Sequence, residues 1–145
     1  MLRQVFLQQI RADVGLYLLR YTDLDGIERI GYRHRIRPID GLGTTLFVAL
    51  EQANALLEED TTTAIRTCYL IYDDFDSFPL QVQYALAHLA YSLERHGLST
   101  LLQMNAAIHF RQWGKAAQAL RDSTWYPHNC PRAERLAHEI ETSVP

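Results

Sequence analysis

One turn signal constrains this chain more than any other feature. Asp25-Gly26 sits among Tyr17, Tyr21, Ile27, Ile30 and Tyr32 in a strand-like stretch over residues 16–32, the pattern of a β-hairpin whose tight turn needs glycine. Elsewhere the apolar residues recur every three to four positions, so the expectation is a single small hairpin in an otherwise helical protein. Before it, Val5, Phe6, Ile10 and Val14 predict a helix over residues 3–13, ended by Gly15. After it, Pro38, Gly41 and Gly43 mark a loop over residues 35–45, and Leu46, Leu50, Ala53, Leu57 and Ala64 mark a long helix expected to link two lobes. Pro79 suits a first helical position and opens the apolar run 80–93, expected to be the central helix of a larger helical lobe. Shorter helices are expected around residues 101–110, 113–121 and 131–141.

The remaining composition mainly excludes. A chain of 145 residues buries about two-thirds of its unfolded surface and needs no covalent staple. With 48% hydrophobic and 21% charged residues it is neither disordered nor a coiled coil. A formal net charge of -3 gives no global attraction to nucleic acid or membrane, so only a local patch could matter. Cys68 and Cys130 have no CxxC spacing and are expected to be idle thiols. His88, His96, His109, His128 and His138 lack ligand spacing, and the GLGTT segment lacks the lysine that contacts phosphate. Neither a metal, a cofactor nor a nucleic-acid partner is expected. The N-terminal MLRQVFLQQIRADVG is amphipathic rather than a signal peptide, and no apolar run reaches membrane-spanning length. The protein is thus expected to be cytoplasmic as synthesised, without membrane insertion. An extracytoplasmic role would require a holin, a secretion machine or a carrier.

Three stretches make a more specific match. In VGLYLLRYTDLDGIERIGYRH, residues 14–34, the positions Gly15, Leu16, Tyr21, Asp23, Gly26, Ile30, Gly31 and His34 fall in step with the hairpin signature of the phage-type, T-four-like lysozymes. Asp76, Ser77, Ala85, Leu86, Gly97, Trp113, Ala116 and Ala117 keep the spacing of that family's central helices. Ser123, Trp125, Tyr126, Arg132, Ala133 and Arg135 keep that of its last helices. The chain therefore resembles a degenerate member of this family, glycoside hydrolase family twenty-four. The resemblance implies an α+β, mainly α, lysozyme-like fold in one domain, residues 1–145. It implies a hairpin lobe over about 14–50 and a helical lobe over about 51–145 that includes the N-terminal helix, residues 3–13. The segment between His34 and the long helix is shorter than in the family, so the hairpin lobe is expected to be trimmed.

What the resemblance implies for chemistry is glycan hydrolysis by two carboxyl groups, one protonating the leaving oxygen and one serving the attacking water. Here Val14 stands at the acid's position, Asp23 survives as the second carboxylate, and Arg29 replaces a threonine that helps hold the water. Asp13 cannot simply substitute, because neighbouring helical residues point about 100° apart. Asp25 and Glu28 lie on the hairpin with Asp23. Val14 also continues the apolar stripe Phe6, Ile10, Val14, which is compatible with loss of the acid. An arginine facing Asp23 would pair with it and hold it ionised. The expectation is a pseudoenzyme acting by binding, and the alternative is an active muramidase with a rearranged acid.

Residues two apart in a strand share a face, so Arg29, Arg33, Arg35 and Arg37 would project together if the extended run continued. They read either as a solvated face or as a surface for an acidic ligand. Tyr91 aligns with an aromatic at the family's cleft mouth, His88 with an asparagine there, and Arg132 with an arginine that braces the catalytic acid and is here left to turn to Asp13. Candidate ligand or partner residues are therefore Arg29, Arg33, Arg35, Tyr91 and Arg132. Trp113 and Trp125 are expected to be packing residues. A protein partner is expected first and peptidoglycan, uncleaved, second, in a phage, prophage or secretion-system setting.

Overall fold

The structure, a computed structural model, describes residues 1–143. Its fold is α+β and mainly helical, with one small antiparallel sheet. Helix α1, Arg3–Val14, buries Phe6, Leu7, Ile10 and Val14 and stops at Gly15, whose φ of 72° suits glycine. Strands β1, Tyr17–Thr22, and β2, Glu28–Gly31, pair antiparallel around the Gly26 turn. A third strand, β3, His34–Arg35, pairs with β2, giving the order β1-β2-β3. A Cβ added at Gly31 would sit 3.3 Å from the Ala53 Cβ, so a glycine here lets the next helix approach the sheet closely.

That helix, α2, spans Leu50–Ile71. It starts later than the apolar spacing predicts, because Leu46 belongs elsewhere. The Arg20 N–H donates to the Leu46 carbonyl at 2.7 Å, the Val48 N–H donates to the Leu18 carbonyl at 3.0 Å, and Leu19 bridges Phe47. The backbone groups on the outer edge of β1 need partners, and this segment supplies them. The extended run after Arg29 is also shorter than expected. The chain reverses at Tyr32 and Arg33 and returns as β3, and residues Pro38–Asp40 form a single 3-10 turn.

Internal contacts divide the chain into two compact units, one of residues Leu2–Thr62 and one from Thr63 onward together with Met1. Helix α1 groups with the sheet. Its Arg3 donates to the Glu58 carbonyl and carboxylate at 2.8 and 2.9 Å, and its Arg11 donates to Asn54 Oδ1 at 3.4 Å. Helix α2 contributes residues 50–62 to the first unit and 63–71 to the second.

The second unit is helical. Helix α3, Leu80–Ser99, buries Val82, Ala85, Leu86, Ala87, Leu89 and Ala90, as its unbroken apolar run requires, and continues past Leu93 through a non-helical residue at Glu94. Helices α4, Leu102–His109, α5, Trp113–Arg121, and α6, Arg132–Glu141, fall within a residue or two of expectation. Trp113 is buried edge-on to Phe78, with ring centroids 5.7 Å apart. Arg121 holds α5 to α6 with hydrogen bonds of 2.7 to 2.9 Å to Glu134 and Glu141. The Tyr126 hydroxyl also donates to Glu134, and Arg121 and Tyr126 together bring the Glu134 carboxyl down to about 2.

Candidate functional site

Asp23 follows β1 at the mouth of the Gly26 turn, where an aspartate caps its own turn. Its Oδ1 accepts the N–H groups of Asp25 at 2.9 Å and Ile27 at 3.0 Å. Its Oδ2 accepts the Arg29 Nε at 2.7 Å, a charge-assisted bond with only 14% of the Asp23 side chain and 11% of the Arg29 side chain exposed. Burial works to raise the Asp23 pKa, but the Arg29 bond and the two backbone N–H groups outweigh it, and the carboxyl is held below its ordinary value. Three of its roughly four lone-pair sites are therefore taken, and the group is a weaker base than a free aspartate.

Arg29 does a second job. Its Nη1 donates to the Arg33 carbonyl at 2.9 Å, which ties the reversal between β2 and β3 to the same guanidinium. Because of that reversal Arg29, Arg33, Arg35 and Arg37 do not form one row. Arg29 and Arg35 face each other as cross-strand partners, and Arg33 sits in the turn. Arg37 leaves the sheet and donates twice to the Asp40 carboxylate, through its N–H at 2.8 Å and its Nη2 at 3.1 Å, while the Asp40 N–H donates to the Arg37 carbonyl at 3.0 Å.

Beside this lies a group that reading the chain did not single out as a site. His34 on β3 is 2% exposed, with Nδ1 2.7 Å from Asp60 Oδ2 and Nε2 2.7 Å from Asp40 Oδ2. Both ring nitrogens donate together only in the imidazolium form. Burial alone would lower the His34 pKa, but the bonds to Asp60 and Asp40 and their charges carry it above the ordinary value. The sequence signal was slight: His34 keeps step with the hairpin signature, but nothing in the spacing points to a partner 26 residues away.

Val14, which the resemblance sets at the acid's position, is the last residue of α1 and is buried with the apolar stripe. Asp13 beside it is half-buried. Glu28 is taken by Arg20, with bonds of 3.3 and 2.7 Å, and Asp25 is exposed at the turn. Tyr91 and Arg132 lie in the second unit. Tyr91 is half-buried on α3, and the Arg132 guanidinium lies 5.8 Å over the half-buried Trp125 ring.

Comparison with known proteins points the same way as the hairpin signature. The chain is 26% identical, over 93% of its own length, to the pre-baseplate central spike protein Gp5 of Enterobacteria phage T4. It spans 27% of that protein. It is also 25% and 21% identical to probable T4-type lysozymes 2 and 1 of Dictyostelium discoideum, covering 93% of this chain and 92% of each relative. Two of these relatives are thus named as lysozymes of the T4 type. No protein-family model matches the chain.

Among the described residues no group of three or more His, Cys, Asp or Glu side chains could hold a metal ion, and no helix is long and apolar enough to cross a membrane. Of the two thiols, Cys68 is buried and pushed up to about 12 by that burial, while Cys130 is exposed. The site thus consists of a carboxylate paired with an arginine and a buried imidazole held between two more carboxylates, both in the first unit.

Proposed function

We propose that this chain is a lysozyme-like protein that acts by binding and does not cleave glycan. The observation that carries the reading is the ion pair of Asp23 with Arg29. A carboxylate that serves an attacking water must be basic and open to it, and here three of the roughly four lone-pair sites of Asp23 already accept hydrogen bonds, one of them from the Arg29 guanidinium. The ion pair lowers the basicity of that carboxylate and sets the Arg29 side chain against Oδ2, and separating the two largely buried groups is costly. Val14 removes the other half of the reaction, since positioned proton transfer is worth about a hundred- to ten-thousand-fold in rate.

The likeness to a phage spike protein, of which a chain of this length covers about a quarter, favours a phage or prophage setting. In such a setting a scaffold of this kind is a module for binding a protein partner or uncleaved peptidoglycan, since fold and activity separate readily.

Clearing of a purified peptidoglycan suspension, compared with an active phage lysozyme, tests the reading. The chain should clear it at least about a hundredfold more slowly. Comparable clearing would overturn the proposal and imply a rearranged acid. Val14→Glu combined with Arg29→Thr should gain measurable clearing, and the Asp23 carboxyl, followed by carbon-detected NMR, should then titrate at a higher pH than in the parent.

A further inference from the structure

The face of the sheet that carries Arg29 also carries side chains that the lost reaction does not use. Tyr21, Arg29 and Arg35 lie directly opposite one another across the three strands, and directly paired residues share a face. The Tyr17 ring packs on Tyr21 with centroids 5.0 Å apart, which brings it to the same side, and Tyr17 is 56% exposed. Arg33 stands close by. Burial raises the Tyr21 pKa, and the charge of Arg33, ahead of that of Arg29, opposes the rise.

Arg33 itself is the unusual residue. Its φ of 61° lies in the left-handed region that favours glycine. A side chain kept in such a conformation points to a use for that side chain. The backbone there is held from outside, by Arg29 on its carbonyl. Among the described residues no hydrogen bond or ion pair engages the Arg33 guanidinium. Next to this face, on the bridge that covers β1, Leu19 and Phe47 are each 67% exposed. Tyrosine and arginine anchors beside exposed apolar side chains are the composition of a protein contact. A phosphate polymer would use the cations and leave the leucine and phenylalanine idle.

We infer that this face docks an acidic segment of another protein that also carries apolar side chains, with Arg33, Tyr17 and Tyr21 as its anchors. The inference rests on the non-cleaving reading above and gives it a class of partner. The Arg33 guanidinium supplies attraction to carboxylates, and the tyrosines with Leu19 and Phe47 take the apolar side chains.

The test is fluorescence anisotropy on the full chain with a short labelled peptide of alternating glutamate and leucine. An alternating glutamate–serine peptide of equal charge and inorganic polyphosphate serve as competitors. The glutamate–leucine peptide should bind at least about tenfold more tightly than either competitor. Arg33→Gly keeps the carbonyl that Arg29 holds and suits the left-handed backbone, so its Tm should equal or exceed the parent's while peptide affinity falls about tenfold. Tyr17→Ala should weaken binding about fivefold. Absence of binding, equal affinity for polyphosphate, or unchanged affinity in Arg33→Gly would each overturn the inference. The same preparations are run in the peptidoglycan assay. Clearing there counts against the non-cleaving reading, whereas no clearing together with no peptide binding counts against the docking face alone.

Discussion

His34 shows what a single buried residue can do to the stability of its unit. Its ring lies between two carboxylates, Asp40 at 3% and Asp60 at 25% side-chain exposure, and Arg37 faces Asp40 as well. A raised His34 pKa means that the folded state binds the proton more tightly than the unfolded chain. Its contribution is therefore complete below the unfolded value of about 6.5 and is lost as pH rises through the higher folded value. Asp40 works in the opposite direction. Burial raises its pKa, but the His34 bond and the Arg37 N–H bond leave it lowered, so its contribution is present above about 3.8 and is lost as pH falls through the folded value. Urea unfolding should accordingly show stability falling as pH rises above about 6.5, with that slope largely gone in His34→Gln. Asp40→Asn should cost about 3 kcal/mol at a pH where His34 is charged, because it leaves a buried cation with half its partners. An unchanged alkaline slope in His34→Gln would assign the pH dependence to other groups.

Among the elements, α3 combines a legible pattern with an illegible interruption. Its apolar run marks it as a buried helix, and the residues from Val82 to Ala90 are buried. Nothing in that pattern announces Glu94, whose φ of 61° and ψ of 179° fall in a region that essentially only glycine occupies. Glu94→Gly should therefore stabilise the protein by about 1 kcal/mol, raising Tm by about 3 °C in a scanning calorimeter. A lower Tm would mean that the glutamate side chain contributes more than the backbone conformation costs. The displaced start of α2 is a second case. Leu46 fits the helical spacing, yet the open edge of β1 claims residues 46–48, because unpaired strand N–H and carbonyl groups cost more than a forgone turn of helix contributes.

For the molecule as a whole, α2 matters most, since one uninterrupted helix supplies residues to both compact units. Thr63 is exposed and lies where the units divide. Thr63→Pro removes one helical hydrogen bond and drives a ring into the preceding turn, which should lower the unfolding free energy by about 3 kcal/mol in guanidinium titrations. Thr63→Ala, which keeps the helix, should be neutral or slightly stabilising. Equal stabilities for the two variants would mean that continuity of α2 contributes nothing.

The residue order by itself determined the hairpin at Asp25-Gly26, the number and approximate spans of the helices, and the lysozyme-like class. Each of these is written in spacing over a few residues, where backbone geometry leaves few choices. Tertiary structure decided the rest. It reversed the chain at Arg33, so that Arg29 turns inward to Asp23 and the arginines do not form a row. It brought Asp60 and Asp40 onto His34 across 26 and 6 residues. Such pairs depend on which surfaces meet once apolar faces are buried, and no local period encodes that meeting. The state of Asp23 belongs to both. Its presence is a fact of sequence, while its commitment to Arg29, Asp25 and Ile27 exists only because folding holds the four residues within hydrogen-bonding distance.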